Sequence, residues 1–226
     1  MQYYDLYYMI LVVPAILLSL VIQVHLKRTY AKFEKIPNAK GYTGAQMARD
    51  ILQHAKSPVV VESIPGTLSD HFDPTAQRVR LSSDVYNGTS VAAIGVAAHE
   101  CGHALQFQAH YAPMLVRNAV VKITNISSAL IYPLILLSVI LQISGLLRIA
   151  VVCFFIVFLF QLITLPVEFD ASRRALNIIE NSGFSERDVS GAKSVLGAAA
   201  MTYVAAMLVA LMNFLSFLLR VRRRAK

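Results

Sequence analysis

Four stretches of the chain are almost entirely apolar, and mixed or polar sequence fills the intervals between them. The apolar runs cover roughly residues 7–24, 128–147, 149–165 and 195–219. At about 1.5 Å of helix rise per residue, each run is about long enough to cross the hydrocarbon core of a bilayer. The second and third runs are separated only by Arg148 and a nearby Ser-Gly pair, so they are expected to form a hairpin with its tip near Arg148. The pattern predicts an α-helical membrane protein with about four transmembrane or membrane-embedded helices.

The mixed intervals predict a small α+β domain. Short strands are expected where polar and apolar residues alternate, and helices where a capping residue precedes a helical pattern. The predicted elements are a helix over 43–55 capped by Thr43, strands over 59–62 and 77–82, a helix over 90–106 capped by Thr89 or Ser90, and a helix that has Pro166 in its first turn and ends near Gly183. The loop between the two strands is rich in turn residues, and its Asp70, His71 and Asp73 are expected to form an Asx-turn rather than a second metal site.

These elements divide the chain into five segments. The first apolar run has no Lys or Arg before it and no small-residue cleavage site after it, which predicts an uncleaved anchor rather than a signal peptide. The expected segments are an anchor over 1–25, a mixed domain over 26–126, a transmembrane hairpin over 127–166, a helix over 167–194, and a membrane helix with a basic tail over 195–226.

Composition and charge support a multi-pass protein of the cell membrane. Of the residues, 56% are hydrophobic, and the net charge is +8. The cations flank the apolar runs and no nucleic-acid motif is present, so the lipid surface is the expected partner. Lys27, Arg28 and Lys32 follow the first run, and the positive-inside rule places them and the mixed domain in the cytoplasm. The basic tail conflicts with that rule if the fourth run spans, so a spanning and a re-entrant fourth segment both stay open.

The sequence carries one motif typical of a metal-dependent hydrolase, His99-Glu100-Cys101-Gly102-His103. On a helix, residues at i and i+4 lie on one face, so both imidazoles of an H-E-x-x-H motif reach one zinc ion. The intervening Glu100 lies to one side of that pair, where it can act as a base toward a water molecule at the metal. Cys101 points in a different direction and is expected to pack as a small residue.

A catalytic zinc site needs a third protein ligand, which lies outside the motif. Glu168 is the preferred candidate, because it opens a helix just after a membrane run. A free carboxylate at the membrane edge indicates a functional role such as binding a metal. An acid in the first turn of a helix is the ordinary alternative. Asp170 and His110 stay open as other ligands. One Zn²⁺ per chain is expected.

Several stretches together resemble the YugP-type bacterial membrane zinc metallopeptidases. They are SDHFDP, VRLSSDVYNG, VAAHECGHALQ and LPVEFDASRRAL. The overall plan is more distantly similar to HtpX-like and CAAX-prenyl endopeptidases, whose third ligand is the Glu of a Glu-x-x-x-Asp pattern. The resemblance implies that Glu168 is this ligand. Ser172 occupies the position of the Asp, so either Ser172 or Asp170 is left to support a zinc-binding histidine.

The combined reading is a zincin-like (gluzincin) catalytic domain joined to membrane helices. The expected activity is zinc-dependent peptide hydrolysis, with His99, His103 and Glu168 as ligands and Glu100 as the catalytic base. The expected substrates are membrane-associated proteins or peptides. A non-catalytic zinc-binding scaffold is the main alternative. A transporter is disfavoured because the apolar runs contain almost no ionisable residues.

Overall fold

The fold is predominantly helical, with one three-stranded sheet. The computed structural model describes residues 6–224, so residues 1–5 of the predicted anchor and residues 225–226 of the basic tail lie outside it. The elements are a π-helical turn Tyr8–Val12 leading into α1 (Val13–Phe33), α2 (Gly44–His54), β1 (Val60–Ile64), β2 (His71–Asp73), β3 (Arg78–Ser82), α3 (Ser83–Asn87), α4 (Val91–Gln108), α5 (Ala112–Ile140), α6 (Ser144–Asn181) and α7 (Glu186–Arg224).

Four helices in the described part of the chain are long and apolar enough to cross a membrane, which confirms the four predicted from the sequence. They are α1 with its preceding turn, α5, α6 and α7, and the most apolar 18-residue stretch of each has a mean hydropathy between 1.9 and 2.7. Many of their large apolar side chains are exposed: Val21 is 65% exposed, Tyr132 77% and Ile140 64%. Exposed apolar surface on this scale is typical of helices that face lipid.

The chain divides into two compact units. Among the described residues, the first comprises 6–23, Val116–Leu165 and 202–224. It has an apolar core of its own, in which the rings of Phe154 and Phe217 stack with centroids 4.6 Å apart. The second unit comprises Val24–Leu115 and Pro166–Met201. Helices α1, α5, α6 and α7 each contribute residues to both units.

The second unit contains the mixed sheet and the largest apolar core. The strand order is β1-β3-β2, with β1 parallel and β2 antiparallel to the central β3. Val79 of β3 is fully buried, and it is in register with Val61 on one side and Phe72 on the other. The sheet contributes these apolar residues to a core that also receives residues of α2, α4, α6 and α7.

Two of the helix starts predicted for this unit, those of α2 and α4, are present with the capping chemistry that the sequence indicated. Thr43 and Gln46 form a capping box, in which each side chain accepts a hydrogen bond from the backbone of the other residue. Ser90 caps α4 by accepting from the backbone N–H of Ala93 at 3.1 Å. The loop before α2 also supports α4, because the backbone N–H of Val91 donates to the carbonyl of Ile36 at 2.8 Å.

Two local predictions are wrong. The tip of the hairpin is residues 141–143, and Arg148 lies inside α6; Gln142 has a φ of +57°, the left-handed backbone that turns the chain. Pro166 does not begin a new helix, because α6 continues through it. A proline inside a helix removes a hydrogen bond and costs about 3 kcal/mol. Contacts beyond the proline favour the continuous helix, among them a 2.7 Å hydrogen bond from Gln106 to the carbonyl of Val167.

Candidate metal centre

The two histidines of the motif lie on one face of α4, as their spacing predicts. The ring centroids of His99 and His103 are 4.7 Å apart and the rings are nearly perpendicular, at 83°. Both side chains are largely buried, with 13% and 11% of their surface exposed. The Nε2 atoms of both rings face the same carboxylate.

That carboxylate is Glu168 of α6. Its Oε2 atom lies 3.4 Å from Nε2 of His99 and 3.5 Å from Nε2 of His103. One ligand atom from each of the three residues falls within 4.8 Å of the others, and this is the one such group of His, Cys, Asp or Glu found among residues 6–224. The structure therefore brings together the three residues predicted from the sequence as metal ligands.

A glycine permits this approach of α4 and α6. A Cβ atom added to Gly102 would lie 2.7 Å from the carbonyl oxygen of Ala171 and 3.2 Å from its Cα. Contacts below 3.0 Å are essentially never made by real Cβ atoms. Gly102 directly precedes His103, and Ala171 lies one turn beyond Glu168. The contact between Gly102 and Ala171 therefore sets the distance between His103 on α4 and Glu168 on α6.

The three side chains fit a zinc ion. Glu168 is 3% exposed, and its Oε2 has no hydrogen-bond partner within the described chain although it is buried. A buried carboxylate oxygen without a partner is costly, and a cation at this point would satisfy it. Two imidazole nitrogens and one carboxylate oxygen are a known set of protein ligands for catalytic zinc, which keeps its fourth position open.

Each histidine also has a hydrogen-bond partner at its second ring nitrogen. The hydroxyl of Ser172 lies 3.2 Å from Nδ1 of His99, so Ser172 takes the supporting position considered from the sequence. Gln106 lies 3.0 Å from Nδ1 of His103 through its Oε1. Asp170 reaches the centre only indirectly, since its Oδ2 accepts a 3.0 Å hydrogen bond from Nε2 of Gln106.

The electrostatic environment favours a positive charge at the centre. Burial lowers the pKa of His103, but the nearby carboxylates of Glu168 and Glu100 and the side-chain oxygen of Gln106 raise it, and the net shift is upward. A metal ion and a proton compete for the same imidazole nitrogen, so a metal ion at this centre would be bound more weakly as the pH falls.

Glu100 is the remaining acidic group of the motif and is 8% exposed. It follows His99 directly on α4, which turns its side chain about 100° around the helix axis from His99 and about 60° from His103. This places it beside the histidine pair rather than between the two rings.

The other residues considered from the sequence lie away from the three ligands. His110 is exposed beyond the end of α4, and Asp170 is paired with Arg173 and Arg174. Cys101 is fully buried and its thiol donates to the carbonyl of Ala48 at 3.6 Å. Burial raises the pKa of the Cys101 thiol, which disfavours the thiolate that a metal would need.

The loop that carries Asp70, His71 and Asp73 is held by hydrogen bonds. Asp73 accepts from the backbone N–H groups of Thr75 and Ala76, which is the predicted Asx-turn. Asp70 accepts from the backbone and the hydroxyl of Ser82. The sequence did not predict that residues 71–73 form a strand.

The fold and the centre together define a class: a helical membrane protein with an H-E-x-x-H motif and a glutamate in a three-residue candidate zinc site. The family described as "Putative neutral zinc metallopeptidase" matches residues 8–222. The chain belongs to this family. It is 42% identical to the "Putative membrane protease YugP" of Bacillus subtilis (strain 168) over 214 residues, which cover 94% of this chain and 95% of that protein. No solved structure matches the chain.

Proposed function

We propose that the protein is a zinc-dependent membrane endopeptidase. The observation that carries the proposal is the convergence of His99, His103 and the otherwise unpartnered Oε2 of Glu168, with Glu100 beside them on α4. His99 and His103 would bind one zinc ion per chain through Nε2, and Glu168 through a carboxylate oxygen. The family and the relative named as a membrane protease support peptide hydrolysis as the activity.

The chemistry is divided between the metal and Glu100. When bound, zinc acts as a Lewis acid that polarises the peptide carbonyl and makes a water molecule acidic. The Glu100 carboxylate takes a proton from the attacking water molecule as the oxygen of that water bonds to the carbonyl carbon. Glu100 then passes that proton to the leaving amine nitrogen as the carbon–nitrogen bond breaks. The low exposure of Glu100 keeps bulk water away from the carboxylate that carries the proton.

The proposed catalytic domain is zincin-like and is interrupted by membrane helices. It would comprise residues 26–126 and 167–194, with the hairpin 127–166 inserted between them and an anchor and a C-terminal membrane helix at the two ends. In support, one continuous helix, α6, carries both an apolar span and Glu168 just beyond it. A ligand on the extension of a spanning helix suits substrates that are membrane proteins or segments close to the bilayer. The positively charged residues that follow the first span favour the cytoplasmic side for this domain.

A cleavage assay with two matched variants tests the proposal. Wild type, Glu100→Gln and Glu180→Gln are purified in detergent, loaded with zinc and incubated with an unfolded casein-like substrate. Glu180 is exposed on α6 and serves as the charge-matched control. Wild type and Glu180→Gln are expected to cleave at similar rates. Glu100→Gln is expected to keep its zinc and to lose about 10²–10⁴-fold in rate, the contribution of a positioned acid–base group.

The alternative is a scaffold whose zinc has no catalytic role. Equal zinc content with no cleavage by any of the three proteins would favour the scaffold, and cleavage by Glu100→Gln at the wild-type rate would reject the catalytic role of Glu100. An intact glutamate beside the histidine pair favours the peptidase, because a structural zinc site has no need of a base.

A further inference from the structure

Gln106 is a fully buried polar residue close to the metal centre, and the H-E-x-x-H motif does not include it. It lies on α4 almost one turn after His103, on the same side of the helix. Its exposed surface is 0%. Because burying an amide is costly unless its hydrogen bonds are made, the partners of this side chain identify what it does.

Those partners fix which way the amide faces. The Nε2 atom of Gln106 lies 2.7 Å from the carbonyl oxygen of Val167 and 3.0 Å from Oδ2 of Asp170. Both of these oxygens are acceptors, so the NH₂ group must face them. The opposite orientation would place the amide oxygen against two other oxygens. The Oε1 atom therefore faces Nδ1 of His103, at 3.0 Å.

An amide oxygen only accepts hydrogen bonds, so Nδ1 of His103 must be the donor. In a neutral imidazole, a proton on Nδ1 leaves the lone pair on Nε2. The Nε2 atom of His103 is the atom that faces Glu168 at 3.5 Å. The orientation of one amide thus determines which nitrogen of His103 is available to a metal ion.

Asp170 provides the fixed end of this chain of contacts. Its side chain is 4% exposed and is paired with the guanidinium groups of Arg173 and Arg174, with a distance of 2.6 Å to Nε of Arg174. Each of the two carboxylate oxygens already accepts from a guanidinium group, so Asp170 presents only acceptors toward Gln106. The partner of His99 differs, because the hydroxyl of Ser172 can donate or accept and does not by itself select a tautomer.

We propose that Gln106 is a positioning residue of the zinc centre: anchored by Asp170 and Val167, it holds His103 in the tautomer that presents Nε2 to the metal. The inference rests on the proposed function and adds to it a residue that acts through His103 rather than on substrate. Partners of metal-bound histidines typically contribute about 10–100-fold to metal affinity.

Zinc affinity, measured by competition with a chelating dye, tests this role independently of activity. Gln106→Leu keeps the approximate size of the side chain and removes both of its polar functions. Gln108→Leu is the matched control, because Gln108 is exposed near the end of the same helix and donates to the carbonyl of Ala55. Gln106→Leu is expected to raise the zinc dissociation constant about 10–100-fold at unchanged stoichiometry. Gln108→Leu is expected to match wild type.

A second variant separates positioning from packing. In Gln106→Glu the side chain keeps its size and gains a better acceptor for the Nδ1 proton, but its other oxygen faces the carbonyl of Val167 and the carboxylate of Asp170. Zinc binding is therefore expected to weaken. A role in packing alone predicts the wild-type zinc affinity, because the volume of the side chain is unchanged.

A measurement on unaltered protein covers the case in which a variant does not fold. Nitrogen-15 NMR of histidine in the zinc-loaded wild type is expected to show His103 protonated at Nδ1 and metal-bound at Nε2. Metal binding through Nδ1 would overturn the proposal, and so would Gln106→Leu binding zinc within twofold of wild type. If wild type itself binds no zinc, the proposed function fails and this inference fails with it. Failure of the inference about Gln106 alone would look different: wild type would bind zinc, and Gln106→Leu would bind it equally well.

Discussion

Replacing Gly102 with alanine tests whether the close approach of α4 and α6 sets the metal geometry. The new Cβ would lie 2.7 Å from the carbonyl oxygen of Ala171. The two helices must separate by about 0.7 Å to restore an ordinary contact of 3.4 Å or more. Zinc sites tolerate deviations of only about 0.2 Å in ligand distance, and Glu168 and His103 are on opposite sides of this contact.

The size of the effect follows from the strain. Overpacking a well-packed interior costs about 1–3 kcal/mol. Binding zinc in the variant requires the helices to return to their original separation, so that strain opposes binding. The expected result is a zinc dissociation constant raised about 5- to 150-fold. In the metal-free protein, the helix propensity gained from alanine, about 1 kcal/mol, offsets part of the strain.

Gly95→Ala is the matched control, because Gly95 is a buried glycine in the same helix. A Cβ atom there would lie 3.5 Å from the Cβ of Ala192, an ordinary contact. Gly95→Ala is expected to keep the wild-type zinc affinity and to gain up to about 1 kcal/mol in the free energy of unfolding. The assays are chelator competition and thermal unfolding in detergent. Wild-type zinc affinity in Gly102→Ala would refute the argument that this contact sets the ligand distances.

Two further predictions concern the unit that carries the site. Thr43→Ala removes the capping box of α2 and is expected to lower the free energy of unfolding by about 1 kcal/mol. Thr43→Ser retains the hydroxyl and is expected to keep the wild-type free energy of unfolding. Equal free energies of unfolding for the two variants would contradict the capping role. Burial raises the pKa of Asp70 above its ordinary value of 3.8, against the opposing hydrogen bonds from Ser82. The protonated form is therefore favoured by folding, and this contribution is lost as the pH rises through the folded-state pKa. Asp70→Asn has no such proton to lose, so its stability relative to wild type is expected to rise between pH 4 and pH 7. Denaturant titrations at the two pH values check this, and a constant difference would count against it.

The sequence predicted best what depends on local spacing. The i, i+4 histidines, the caps at Thr43 and Ser90 and the four apolar helices all follow from patterns within one element. The strand over residues 71–73 was missed because its residues are typical of turns and it exists only by pairing with β3. The turn of the hairpin was misplaced because one apolar composition covers both helices and the connection between them.

Contacts between distant segments were harder to predict. Only its position after a membrane run and the family resemblance predict Glu168 as a ligand, since no spacing rule links it to the motif. No pattern within α4 singles out Gln106, because its hydrogen-bond partners Val167 and Asp170 lie on another helix. The reason for a glycine at position 102 likewise becomes apparent only once Ala171 is placed against it.

The most direct test of the account is the zinc content of Glu168→Ala beside that of wild type and Glu180→Ala. Both substitutions remove a carboxylate from α6, but only Glu168 faces the two histidines. After dialysis against a weak chelator and elemental analysis, wild type and Glu180→Ala are expected to hold about one zinc per chain, and Glu168→Ala well below that. Full zinc content in Glu168→Ala, or none in wild type, would contradict the assignment of His99, His103 and Glu168 as the metal centre.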